Sequence, residues 1–155
     1  MLVQVVIATA NDDVARRLGE CLEHPGYLVE RVAADERAIR SVRSLSPDLV
    51  ILDDDLFDVL DRKPGARTGT LEPDFLVVAD RIESERHAEL LAKGCLGAVG
   101  WTVGSPEFED AVWAVVSRWR RDAEEALAAA WRGPEELALG DFVTSSASMR
   151  KFMKV

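Results

Sequence analysis

The side chains of this 155-residue chain best suited to chemistry are carboxylates, and two short runs of them stand out. Asp53-Asp54-Asp55 closes an apolar run at 49–52, and Asp12-Asp13 follows shortly after the apolar run 2–8. Carboxylates gathered at one point can hold a hard divalent cation through their oxygens. Consecutive residues at a strand end point alternately to opposite faces, so three in a row seldom converge. Asp53-Asp54-Asp55 therefore reads as a solvated acidic loop, and no metal site is expected there. The other reactive types form no constellation. His24 precedes a Pro-Gly turn and His87 sits among charged residues, so both are expected at the surface. Cys21 and Cys95 lie on separate segments without CxxC spacing or a histidine partner. They read as buried free thiols of a protein in the reducing cytoplasm. No Ser-His-Asp or Cys-His arrangement can be drawn, and no glycine-rich phosphate loop follows the first apolar run.

The elements that must position these residues alternate between short apolar runs and amphipathic stretches. Residues 2–8, 28–32, 48–53, 75–79 and 96–100 read as strands, the first and third rich in β-branched side chains. Between them, Val14, Leu18, Cys21 and Leu22 share one helical face that Asp12 or Asp13 can cap, and Ala38, Ile39, Val42 and Leu45 share another, capped by Asp35. A helix over 83–93 is closed by Gly94, and a last helix opens at Ser105-Pro106. Strands alternating with helices give a parallel sheet covered on both faces. Residues 56–73, with two prolines, two glycines and no sustained helical face, are expected to be loop or at most a turn or two of helix. In such a sheet, chemistry gathers at the carboxyl ends of the strands. Those ends carry Thr9-Ala10, Asp53, Ala79-Asp80 and Trp101.

Composition bounds the function. Nineteen Lys and Arg against 28 Asp and Glu give a net charge of −9, which argues against nucleic-acid binding by this chain. The excess is uneven: residues 106–155 hold 7 basic and 9 acidic residues (−2), leaving 12 and 19 (−7) for 1–105. No apolar run approaches the roughly 18–20 residues of a membrane span, and the N-terminus lacks the basic start and cleavage site of a signal peptide.

The segment Pro47-Asp48-Leu49-Val50-Ile51-Leu52-Asp53 resembles the third strand of response-regulator receiver domains, which ends in the phosphoacceptor aspartate. Ala92-Lys93-Gly94-Cys95-Leu96-Gly97-Ala98 resembles the segment leading into that family's fifth strand. The resemblance covers residues 1–121 and implies a flavodoxin-like (CheY-like) doubly wound sheet of order 2-1-3-4-5, here with a shortened or missing third helix. It also implies five functional groups: two acids after the first strand, the acceptor aspartate, a hydroxyl after the fourth strand and a lysine after the fifth. Acids hold Mg²⁺ and the ammonium offsets the remaining charge, while the hydroxyl couples the modification to a switch. Only Asp53 is kept. Thr9 and Ala10 stand at the acidic pair, Ala79 at the hydroxyl and Trp101 at the lysine. The expectation is a pseudo-receiver without enzyme activity or cofactor, in which Asp53 is a leftover solvated carboxylate and Trp101 fills an emptied pocket. The alternative is a working receiver phosphorylated on Asp53 by a histidine kinase, with Mg²⁺ held by Asp12 or Asp13.

The last helix continues past the length a receiver needs. Val112, Val116, Trp119, Ala123, Ala126 and Ala130 are spaced 4, 3, 4, 3 and 4, a heptad seam. A helix over 106–132 would be roughly 40 Å long, and it is expected to act as a linker that pairs with a second copy in a homodimer. Gly133-Pro134 ends it. Beyond, Ser146 and Met149 resemble the Ser-x-x-Met opening of the AAA+ domain in sigma-54-dependent activators, with Thr144 and Ala147 departing from that pattern. The resemblance implies that 133–155 begins an ATPase domain and that the whole is a cytoplasmic transcription regulator, answering to a regulatory protein or kinase.

Overall fold

The computed structural model describes residues 1–60, 73–101 and 106–132. Five strands, β1 (Val3–Ala8), β2 (Tyr27–Arg31), β3 (Leu49–Asp53), β4 (Asp74–Ala79) and β5 (Gly97–Gly100), form one sheet in the order β2-β1-β3-β4-β5. Every neighbouring pair is parallel. Parallel pairing demands crossovers, and four described helices lie in them: α1 (Asp12–Cys21), α2 (Glu36–Leu45), α3 (Asp54–Val59) and α4 (Ser84–Ala92), while α5 (Glu107–Arg132) follows the last strand. Alternate residues of β1 and β3 are buried on opposite faces. Val5, Ile7 and Ile51 pack with α1 and α5, while Val6, Ala8 and Leu52 pack with Ile39, Phe57 and Leu90. This two-sided burial explains why the central strands read as continuous apolar runs.

Local chemistry sets the boundaries. Asn11, not Asp12 or Asp13, caps α1: its side chain accepts from the backbone N–H groups of Asp13 and Val14. The two aspartates fall in the first turn, where they complement the helix dipole. Asp35 caps α2 as expected, accepting from Ala38 N at 2.7 Å. Residues 56–59 belong to α3, a helix of one to two turns, the shorter-helix alternative left open for the start of the 56–73 stretch. Asp54 and Asp55 occupy its first turn, and Phe57 is buried edge-on against Phe75 with ring centroids 5.9 Å apart. One burial anchor and a favourable first turn sustain this short helix, where periodicity is too brief to reveal it.

The long helix α5 is observed, but its seam divides. Val112 and Val116 are fully buried in the chain's own core, and Trp119 and Ala123 are nearly so. Trp119 Nε1 also donates to Asp74 Oδ2 at 2.8 Å, tying α5 to the start of β4. These four positions are therefore not an intermolecular seam: the same 3-and-4 spacing serves to pack an amphipathic helix on a sheet. Ala126 and Ala130 are only half-buried and Trp131 is 79% exposed. Ser105 and the 133–155 segment lie outside the described residues. No described helix is long and apolar enough to cross a membrane.

Candidate functional site

Register brings the strand ends together. Ala8 of β1 pairs with Leu52 of β3, so the next residues, Thr9 and Asp53, emerge side by side at the carboxyl edge. Thr9 Oγ1 donates to Asp53 Oδ1 at 2.7 Å, and Ala10 N donates to Asp53 Oδ2 at 2.8 Å. Asn11 N in turn donates to Thr9 Oγ1 at 3.3 Å. Each carboxylate oxygen thus receives a donor from the β1–α1 connection, and the Thr9 hydroxyl both gives and accepts. This corrects the expectation of a nearly isolated, solvated Asp53. The carboxylate is half-buried and holds the end of β3 to the start of α1.

The other positions of the pocket lie at the neighbouring strand ends. Ala79 ends β4 opposite Gly100 and offers no hydroxyl. Trp101 begins after β5, where its backbone N–H donates to Ala79 O at 2.8 Å. Its half-buried ring packs against the core layer beneath α1 and α5. Asp12 and Asp13 point to other partners, with Asp12 3.1 Å from Arg31 and Asp13 2.6 Å from Arg16. The side chain of Asp12 is 97% exposed. Among the described residues, no three His, Cys, Asp or Glu side chains gather as a metal ion would require.

Beside Asp53 lies a second polar group that sequence reasoning missed. Arg86 on α4 grips Asp54 at 2.6 Å, Asp58 at 2.7 Å and Glu89 at 3.0 Å, and Lys93 reaches Glu89 and Asp58. Asp54 is therefore half of a partly buried ion pair, which departs from the solvated acidic loop read from the sequence. The hydrogen bond from Arg86 to Asp54 raises the guanidinium's already high pKa. Burial pushes the Asp58 carboxyl up, but hydrogen bonding and charge from Arg86 and Lys93 outweigh it, leaving the pKa lowered. Glu89 is lowered by hydrogen bonds from Lys93 and Arg86. On the opposite face, Arg17 lowers Glu109 through a bidentate pair that joins α1 to α5. The i, i+3 and i, i+4 spacing of Arg86, Glu89 and Lys93 was visible in the sequence. Their reach to α3 depended on a crossover that spacing cannot specify.

Acid sensitivity follows. These carboxyls ionise more readily folded than unfolded, so their stabilisation is complete above the ordinary carboxylate range and is lost as pH falls from there through their lowered folded values. Urea unfolding should show stability declining from about pH 5 downward. Arg86→Gln should lower stability at neutral pH and flatten that decline; an unchanged slope would remove the network from the account.

Neither a family model nor a curated protein matches the chain. Solved structures do. A response regulator from Hahella chejuensis is 24% identical, with a TM-score of 0.59 over 76% of this chain and 94% of that one. The signal receiver domain of the DNA-binding response regulator merR from Colwellia psychrerythraea 34H is 15% identical, with a TM-score of 0.58 over 74% and 98% of the two chains. The chemotaxis response regulator CheY4 of Vibrio cholerae is 19% identical, with a TM-score of 0.56 over 74% and 99%. At these identities the likeness is one of fold. The chain has the CheY-like receiver fold, in the strand order the sequence resemblance implied.

Proposed function

We propose that this chain is a regulatory receiver-like module that signals through protein contacts without phosphorylation, its former acceptor carboxylate serving as a structural clamp. The observation that supports this reading most strongly is the pair of donors on Asp53, Thr9 Oγ1 and Ala10 N. An acceptor aspartate must present an oxygen in line with the incoming phosphorus, and the transferring group needs cations to offset its charge. Here both oxygens are engaged, and the family's acidic pair, hydroxyl and lysine are replaced by Thr9, Ala10, Ala79 and Trp101. Hydrogen bonds to a charged group are worth about 1.5–3 kcal/mol each. Releasing even one before reaction would slow transfer by about tenfold or more.

On this reading the module controls the assembly of an attached sigma-54-type ATPase, and α5 is the connecting element. With Val112, Val116, Trp119 and Ala123 turned inward, a second copy would meet the far end of α5, at Ala126, Ala130 and Trp131. Sedimentation at tens of micromolar should report a dimer that Trp131→Glu dissociates; a wild-type monomer would remove this part of the proposal. A Walker-type loop encoded downstream of residue 155 would support the ATPase context.

The direct test is incubation with acetyl phosphate and Mg²⁺ followed by intact mass measurement. No phosphoryl adduct is expected. An adduct lost in Asp53→Asn would return the chain to the conventional receivers served by histidine kinases.

A further inference from the structure

One carboxylate stands between two helix starts. Asp53 ends β3 and is also the residue before α3, where its backbone has the extended conformation of an N-cap (φ −66°, ψ 151°). Aspartate is among the best capping side chains, because its oxygens can accept from the second and third N–H groups of a helix. In α3 those groups belong to Asp55 and Leu56, yet the Asp53 side chain makes no cap hydrogen bond. Both of its oxygens are engaged by the β1–α1 connection instead, at 2.7 Å from Thr9 Oγ1 and 2.8 Å from Ala10 N.

That connection leads into α1. Thr9 Oγ1 accepts from Asn11 N at 3.3 Å, and the Asn11 side chain caps α1 through Asp13 N and Val14 N. A chain of polar contacts thus runs from Asp53 to the first turn of α1. The first turn of α3 is left without the side chain best placed to meet its N–H groups. The same turn carries Asp54, which Arg86 of α4 holds at 2.6 Å.

We propose that Asp53 is a two-position element: held by Thr9 and Ala10 it fixes the entry to α1, and released from them it turns to cap α3. A displacement of the β1–α1 connection is then passed to α3, and through Asp54 to α4. The backbone of Asp53 already has the capping conformation, so the exchange needs only rotation of its side chain. The clamp is the preferred position because Thr9 is 7% exposed and donates from a site shielded from water, whereas Asp55 is exposed and water competes for its N–H. The Thr9 hydroxyl sets the balance. Without it, one clamp donor remains against two cap donors. The inference rests on the reading of Asp53 as a carboxylate that is not phosphorylated, and it deepens that reading: the clamp becomes the part that a partner protein pressing on the β1–α1 connection releases.

Amide hydrogen exchange of the unphosphorylated chain, followed by NMR in Thr9→Val, tests the device. Valine keeps the shape of threonine and removes the donor. Exchange at Asp55 and Leu56 should slow about threefold, short of the roughly fivefold of a full side-chain cap because Ala10 N still competes. Thr9→Ser keeps a hydroxyl and should exchange like the wild type, and adding Asp53→Ala to Thr9→Val should remove the gain. Slower exchange in α3 is a result that mere loosening of the clamp does not give, since lost contacts speed exchange. Unchanged or faster exchange at Asp55 and Leu56 in Thr9→Val, a gain that survives Asp53→Ala, or Thr9→Ser behaving as Thr9→Val would overturn the proposal. If valine is not accommodated, Thr9→Ala removes the same donor with less bulk and carries the same expectation. No phosphoryl donor is present, so failure here leaves the acetyl phosphate result untouched. An adduct on Asp53 in that other experiment would remove the underlying reading without altering these exchange rates, so the two fail separately.

Discussion

Trp119→Ala should destabilise the domain by about 3–5 kcal/mol, the range for deleting a large buried aromatic. The ring is 8% exposed, lies in the core layer shared by α1, α5 and the sheet, and donates its N–H to Asp74. Truncation removes the packing and the tie between α5 and β4 together. The melting midpoint should drop by roughly 10–20 °C, by the same amount at low and high protein concentration. That independence is informative. A tryptophan in an intermolecular seam would weaken the dimer and make the loss concentration-dependent, leaving the monomer intact. A folded, stable Trp119→Ala monomer would return the residue to the seam and contradict the inward placement of α5.

The second large effect is a gain. The variant Thr9→Asp, Ala10→Asp, Ala79→Thr, Trp101→Lys rebuilds the missing groups around Asp53. Removing Thr9 frees one carboxylate oxygen, and the new acids supply Mg²⁺ ligands at the carboxyl edge where Thr9 and Asp53 now touch. Without metal, three carboxylates crowd together and the variant should be less stable than the wild type, with millimolar Mg²⁺ restoring stability. Acetyl phosphate should then label Asp53 where the wild type shows no adduct, a gain of at least about 100-fold, the scale of a single well-placed electrostatic group. Mass spectrometry of the intact protein reads this directly. A variant that folds and binds Mg²⁺ yet gains no phosphate would show that groups other than these four govern phosphorylation of Asp53.

Much of the architecture was legible because it rests on burial. The runs at β1, β3 and β4 are almost entirely apolar since both faces are covered, and β-branched residues mark them as strands. Asp35 and the glycine after α4 were legible because capping is local chemistry. What was misread depends on partners distant in sequence. The spacing Val112–Val116–Trp119–Ala123 fits a sheet and a second helix equally well, and only the placement of α5 over β5 and α1 distinguishes them. In the same way, the Thr9–Asp53 contact spans 44 positions and follows from the β1–β3 register. Sequence named both residues and their strand ends, but took one to be a lost ligand and the other an idle carboxylate. Arg86 was passed over because its partners Asp54 and Asp58 lie on α3, the element whose helical character was hardest to read.

The clamp also changes the meaning of the acidic half of the chain. Asp53, Asp54 and Asp58 are held by Thr9, Ala10 and Arg86 into a band of polar contacts running from the start of α1 across α3 to α4. In a switching receiver these loops must rearrange when the acceptor is modified. Here the contacts favour one arrangement, which agrees with a module read by shape.

The measurement that bears most directly on this account is an amide chemical-shift titration of the wild-type chain with Mg²⁺ and beryllofluoride, a phosphoryl mimic that binds an acceptor carboxylate. The clamp predicts no saturable shifts at Thr9, Ala10, Asp53, Ala79 or Trp101 up to millimolar ligand. Saturable shifts centred on those residues and absent in Asp53→Asn would contradict it, and would make Asp53 an acceptor still in use.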